Sequence, residues 1–188
     1  MMKIYDYIFK ENIISEEECE WAIEESEDCQ WVDHGWDARD DDGGYKELDV
    51  KYETELSVAS PERHSDLDRI LRKGIDTAIE LYSERYPESG VKRKTHPRLN
   101  KYSKNTEMKE HVDHIHSIFD GKEKGIPIIS IVGVLNDNYK GGEFIFNDEY
   151  EVKFKAGDIL IFPSVFLYKH KVNLVDGGTR LSFVSWGY

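Results

Sequence analysis

Cysteine is scarce: Cys19 and Cys29 are the only two in 188 residues. Neither sits in a CxxC pair or in a Cys/His cluster with zinc-ligand spacing, so both read as reduced thiols rather than as a metal or disulfide framework. Long apolar runs are missing too. None approaches the ~20 residues a membrane span needs. The N-terminus, Met1-Met2-Lys3-Ile4-Tyr5-Asp6, lacks the charged-then-apolar pattern of a secretory signal. These absences point to a cytoplasmic protein. Positive charge is also short, with 25 Lys and Arg against 38 Asp and Glu and a formal net charge of -13. A field of that sign repels phosphate backbones and anionic membranes, which disfavours nucleic acid and membranes as partners. The one dense basic run, Val91-Lys92-Arg93-Lys94-Thr95-His96, reads as a solvated turn ahead of a strand. Internal repeats and low-complexity tracts are absent.

What is present suffices for a packed interior: 39% hydrophobic residues, 12% aromatic. A chain of this length fits a single domain over 1–188. Its first 97 residues read as a mostly helical support region. Ser15-Glu16-Glu17-Glu18 is a capping box ahead of Cys19, Trp21, Ala22 and Ile23, predicting a helix over about 15–27. Residues 33–47, rich in Asp and Gly, read as a loop, with Trp31 and Trp36 nearby, that folds as a lid over a site. A short strand is expected over 53–59. Ser65-Asp66-Leu67-Asp68 opens a second helix, with apolar residues at helical spacing to Tyr82 and a stop before Pro87.

After Pro97 the texture changes to short β-branched and aromatic segments. Strands are predicted at about 98–103, 107–116, 126–135, 142–147, 150–155, 158–162, 166–174 and 179–187. Gly-rich turns at Lys140-Gly141-Gly142, Ala156-Gly157-Asp158 and Asp176-Gly177-Gly178 separate several of them. The fold class is therefore mainly β with helical N-terminal support, its core a double-stranded β-helix, or jelly roll, over 98–188.

His111-Val112-Asp113 falls in one of these strands, where positions two apart share a face. That spacing aims an imidazole and a carboxylate at one point. With His170 from a distant strand they make a set of two nitrogens and one oxygen, which leaves positions open on non-heme Fe(II) for a bidentate co-substrate and dioxygen. An HxD by itself also occurs on ordinary surfaces. His114 and His116 form a second such pair on the opposite face, an alternative metal pair or plain surface residues. His34, His64 and His96 lie in loop-like context. If 166–174 and 179–187 form a hairpin, Arg180 comes beside His170, and Ser182 shares its face. An inward Arg needs an anion: a surface acid, or the far carboxylate of a dicarboxylate co-substrate held in a bidentate pair with Ser182 assisting.

The order of motifs resembles the 2-oxoglutarate/Fe(II) oxygenases, in particular their prolyl 4-hydroxylase-like branch. The residues that carry it run Arg98-Leu99-Asn100-Lys101-Tyr102, His111-Val112-Asp113, Val134-Leu135-Asn136-Asp137 and Gly141-Gly142-Glu143-Phe144-Ile145-Phe146. Ala156-Gly157-Asp158-Ile159-Leu160-Ile161-Phe162-Pro163, His170-Lys171-Val172, Gly178-Thr179-Arg180-Leu181-Ser182 and Trp186 follow. The resemblance implies His111, Asp113 and His170 as iron ligands, and Arg180 as the partner of 2-oxoglutarate's distal carboxylate. It adds Tyr102, whose hydroxyl would help bind that co-substrate unless it is an ordinary core aromatic, and Ser182 within Arg-x-Ser. Trp186 reads as core packing. The implied activity is a dioxygenase that hydroxylates a prolyl or other protein, peptide or small-molecule group, releasing succinate and CO2, with O2 as oxidant and ascorbate supportive. Prolyl 4-hydroxylases commonly carry Lys where Arg180 stands and Thr where Phe144 stands, so the substrate stays open. The alternatives are a cupin-like metal protein that does not use 2-oxoglutarate, for which Arg180 has no purpose, and a non-catalytic jelly-roll binding module, for which the ligand set has none.

Overall fold

The computed structural model describes residues 3–39, 45–48, 56–113 and 126–188. Ser15 and Ser65 start its two long helices, α1 (Glu16–Ser26) and α2 (Asp66–Arg85). At α1, Ser15 Oγ accepts from the Glu18 amide at 3.2 Å, and the Glu18 carboxylate accepts from the Ser15 amide at 3.1 Å. The exchange satisfies donors that a first helical turn leaves open. At α2, Ser65 Oγ accepts from the Asp68 amide at 3.1 Å. Leu67, Leu71, Ile75, Ala78 and Tyr82 form the buried stripe of α2.

The N-terminal part contributes β1 (Phe9–Asn12), β2 (Val32–Asp33), β3 (Trp36–Arg39), β4 (Tyr45–Leu48) and β5 (Ser57–Ala59). Then come β6 (Arg98–Tyr102), β7 (Met108–His111), β8 (Ile129–Val134), β9 (Lys140–Gly141) and β10 (Phe144–Phe146). The last are β11 (Tyr150–Val152), β12 (Asp158–Pro163), β13 (His170–Val172), β14 (Val175–Gly177) and β15 (Arg180–Gly187). Among the described residues they form a seven-stranded sheet, β1-β12-β8-β15-β6-β5-β2, and a four-stranded sheet, β11-β10-β13-β7, with small pairs β14-β9 and β3-β4. All pairings are antiparallel. The arrangement is a jelly roll with both helices on one side of the larger sheet.

The period of two along each strand sorts its side chains into two cores. Ile159 and Ile161 of β12 pack with Leu71, Ile75 and Ala78 of α2, while Leu160 and Phe162 turn the other way onto Phe144, Phe146 and Tyr168 between the sheets. Leu181 and Phe183 of β15 join the helix side. Gly133 lies opposite Phe183 in the β8–β15 register, and a Cβ there would stand 2.0 Å from Phe183 Cζ. The glycine thus makes room for that ring. β1 is fastened to β12 by buried Asp158, whose carboxylate accepts from Lys10 Nζ at 2.5 Å, Asn12 Nδ2 at 2.9 Å and the Lys155 amide at 2.9 Å. Burial alone would raise its pKa; these partners outweigh that and hold it below the usual carboxylate range.

Several expectations are corrected. The span 33–47 contains β3 and β4, which pair as antiparallel strands. Its Asp and Gly content hid the β-forming Trp36 and Tyr45 near its ends. Residues 40–44 lie outside the described residues, so the lid expectation is left largely outside them too. Of the strand expected over 53–59, residues 57–59 are strand and 53–55 lie outside the description, as do His114 and His116. The expected hairpin of 166–174 with 179–187 does not form: β13 pairs with β10 and β7, and β15 pairs with β6 and β8. The first 97 residues supply β1, β2 and β5 to the larger sheet as well as both helices. No described helix is long and apolar enough to cross a membrane.

Candidate metal centre

Between the two sheets lies a cavity of about 290 Å³. The smaller sheet offers its histidines there. His170 of β13 and His111 of β7 are direct cross-strand partners, with ring centroids 4.3 Å apart. Asp113 stands just past the end of β7 rather than within the strand, yet still turns its carboxylate to the same point. Its Oδ1 is 3.4 Å from His111 Nε2 and 3.8 Å from His170 Nε2. Ligand atoms of all three lie within 4.8 Å of one another. Ligand bonds of ~2.1 Å place neighbouring donors on one ion ~3 Å apart, so the set is close to what a single ion demands.

Backbone carbonyls fix both imidazoles. His111 Nδ1 donates to Lys109 O at 2.7 Å, and His170 Nδ1 donates to Tyr168 O at 3.0 Å. Each Nε2 lone pair is thereby turned to the carboxylate, the orientation that ligating histidines require. Phe144 stacks on the His170 ring at 5.1 Å, and Phe162 meets it edge-on at 4.9 Å. This apolar packing pushes the His170 pKa down to about 4, against the pull of Asp113. Burial also acts to lower that of His111, but its hydrogen bond and charge contact with Asp113 prevail and raise it. Burial alone would raise the Asp113 pKa; His170 and His111, with a hydrogen bond from Ser130, hold it far below the usual range. A neutral imidazole and a permanent carboxylate are the forms that bind metal.

The larger sheet supplies the other wall. Arg180 and Ser182 of β15 face Tyr102 and Asn100 of β6 in register. Arg180 is 1% exposed, yet among the described residues it has no ion pair. Its Nη1 donates to Ser182 Oγ at 2.9 Å, and its guanidinium lies 5.0 Å from the Tyr102 ring centre. Its Nε and Nη2 are buried without a hydrogen-bond partner. A buried guanidinium with two idle donors fits an anion that enters from the cavity.

His111, Asp113, His170, Arg180, Tyr102 and Ser182 all line this one cavity. Arg180 arrives from the sheet facing His170, and not from an adjacent strand as the sequence suggested. Trp186, expected in the core, is buried there and also lines the cavity, as does His34, which had read as unrelated. His96 is elsewhere, with Nε2 at 2.9 Å from Pro61 O and Nδ1 at 3.4 Å from Asp68 Oδ1. Arg98 and Asn100 also line the cavity and were not singled out. Only part of the signal was available: Arg98, Asn100 and Tyr102 are alternate residues of one strand and so share a face, which does not say what that face looks onto.

Residues 97–188 match the family model described as the 2OG-Fe(II) oxygenase superfamily. A PKHD-type hydroxylase of Xylella fastidiosa (strain M12) is 32% identical over 158 residues, covering 73% of this chain and 61% of the relative. One of Acinetobacter baumannii (strain SDF) is 28% identical over 181 residues, covering 93% and 74%. The chain thus spans about three-fifths of the length of the Xylella relative. Among solved structures, a Trichoplax adhaerens prolyl hydroxylase in complex with a hypoxia-inducible-factor peptide superposes with TM-score 0.67 at 13% identity, over 96% of this chain and 83% of that one. A Pseudomonas putida prolyl-4-hydroxylase gives 0.64 at 14%, over 98% and 96%. These two show a shared fold.

Proposed function

We propose that the chain, whose residues 97–188 match the model of the 2OG-Fe(II) oxygenase superfamily, is an Fe(II)- and 2-oxoglutarate-dependent dioxygenase that hydroxylates its substrate. One observation carries this reading: the His111–Asp113–His170 set, with Asp113 and His170 buried and His111 half-buried, shares its cavity with Arg180, whose two idle donors await an anion. His111, Asp113 and His170 hold Fe(II), and Arg180 takes the distal carboxylate of 2-oxoglutarate through Nε and Nη2. The Ser182 hydroxyl, having accepted from Arg180, still has its own proton to donate to that carboxylate. Tyr102 offers a hydroxyl kept protonated by burial, although Arg180 and Arg98 pull the other way. When bound, iron and 2-oxoglutarate supply oxidative decarboxylation, which consumes O2 and yields succinate, CO2 and a hydroxylated product. Phe144, Phe162 and Val172 keep the ligand set dry, which strengthens each charge contact within it.

Within the same proposal, 1–188 acts as one catalytic unit with its core at 98–188, works in the cytoplasm, and gains from ascorbate as reductant. The substrate is a protein, peptide or small-molecule group, a prolyl residue among the options in view of the prolyl hydroxylases that share the fold. The test is uncoupled turnover of 2-oxoglutarate to succinate with Fe(II) and ascorbate. Wild type is expected to turn over slowly, His111→Ala to lose turnover, and Arg180→Ala to raise the KM for 2-oxoglutarate by about two orders of magnitude, the scale of two charge-assisted hydrogen bonds. No turnover, joined to no 2-oxoglutarate binding with an inert divalent metal, would sink the assignment.

A further inference from the structure

Arg98 is a second cation in the same cavity, and the proposed chemistry gives it no work. It stands at the opposite end of β6 from Tyr102, four residues away, a distance of ~13 Å along a strand. Tyr102 faces Arg180 in the register, whereas Arg98 faces Val184. The two guanidiniums therefore serve different ends of the cavity. Arg98 stands with Trp186, over whose ring it lies at 5.3 Å. Its Nε donates to Asn100 Oδ1 at 3.2 Å, which locks the head group in place. Among the described residues it forms no ion pair, and Asp113 is the one carboxylate lining the cavity.

A count of charges shows what is missing. With Fe(II) and dianionic 2-oxoglutarate in place, the two charges of the ion and the one of Arg180 are balanced by Asp113 and the co-substrate. Among the described residues that line the cavity, the charge of Arg98 is then left over, where uncompensated charge is costly. Resting on the reading above, we propose that Arg98 is the anchor for the primary substrate, and that this substrate presents a carboxylate to it. The carboxylate lies on the Arg98 side of the metal ligands, away from Arg180. An acidic side chain of a peptide and the free carboxylate of a small acid share this chemistry.

The experiment uses the full chain loaded with Mn(II) and 2-oxoglutarate under anaerobic conditions, with binding followed by calorimetry. Three probes are titrated: N-acetylglutamic acid α-methylamide, with a side-chain carboxylate; N-acetylglutamine, with a main-chain carboxylate; and N-acetylglutamine α-methylamide, with none. Tighter binding of the first, about tenfold or more over the neutral probe, points to an acidic side chain; the same gain for the second alone points to a small free acid. Either preference is expected to vanish in Arg98→Met and to survive in part in Arg98→Lys, with melting curves run alongside to separate out misfolding. Equal binding of all three probes, no saturable binding of any, or a preference that persists in Arg98→Met overturns the proposal. The co-substrate is titrated first: failure of the wild type to bind 2-oxoglutarate removes the premise, whereas normal uptake without probe discrimination refutes the role of Arg98 alone.

Discussion

At the scale of single residues, the two histidines are not equivalent. The His170 pKa lies at about 4 and that of His111 is raised above its ordinary value. A ligating imidazole must be neutral, so metal competes with a proton on His111 as pH falls through that raised value, whereas His170 releases none until far more acid conditions. Apparent Co(II) affinity is expected to drop about tenfold per pH unit there, one proton displaced per ion. Calorimetric titrations stepped across neutral pH check this, and a two-proton slope would contradict it. The ligand types were legible in the sequence, because an HxD and a later His constrain chemistry whatever the fold. The positions of Arg98 and Asn100 were not. Alternation says that they share a face with Tyr102, but only the partner sheet decides that this face looks into a cavity.

Among elements, legibility followed how local the cause is. The caps at Ser15 and Ser65 act within four residues, so the local sequence alone is enough to reveal them. β1 was not legible: one of its four residues is buried, so no alternation marks it, and Asp158 of the neighbouring β12 holds it by accepting from its Lys10 and Asn12. The misplaced hairpin has a similar cause. A Gly-rich turn ahead of Arg180 looks like a hairpin, yet β14 leaves to pair with β9 and the chain changes sheets. Gly133 shows what such long-range packing demands. Gly133→Ala drives a methyl into the Phe183 ring and is expected to cost about 1–3 kcal/mol, the range of overpacked cores. Adding Phe183→Leu, which removes the ring edge, is expected to recover part of the loss. Urea unfolding of both variants measures it, and an unchanged midpoint for Gly133→Ala would show that the ring moves freely.

For the whole molecule, the sheets divide the labour of binding. The proposed ion touches residues of β7 and β13 and of the turn after β7, all on the smaller sheet, whereas Arg180 belongs to the larger one. The ion alone therefore fastens one sheet, and 2-oxoglutarate spans both. Mn(II) is expected to raise the melting temperature modestly, and Mn(II) with 2-oxoglutarate further, by the equivalent of ~2.7 kcal/mol at a hundredfold excess over Kd. Arg180→Ala is expected to keep the first increment and lose the second, as read by thermal unfolding. An equal second increment in that variant would place the co-substrate elsewhere. Net charge and composition had narrowed the partners without indicating this bridge, because the bridge depends on which strands end up opposite one another. The two-sidedness of β15 reaches beyond chemistry. Its odd residues, Leu181 and Phe183, answer to the helices, and its even residues, Arg180, Ser182, Val184 and Trp186, answer to the cavity. A lineage carrying this strand can revise what it recognises at Val184 or Trp186 while the neighbouring residues keep the chain folded, so novelty and persistence are inherited side by side, one residue apart.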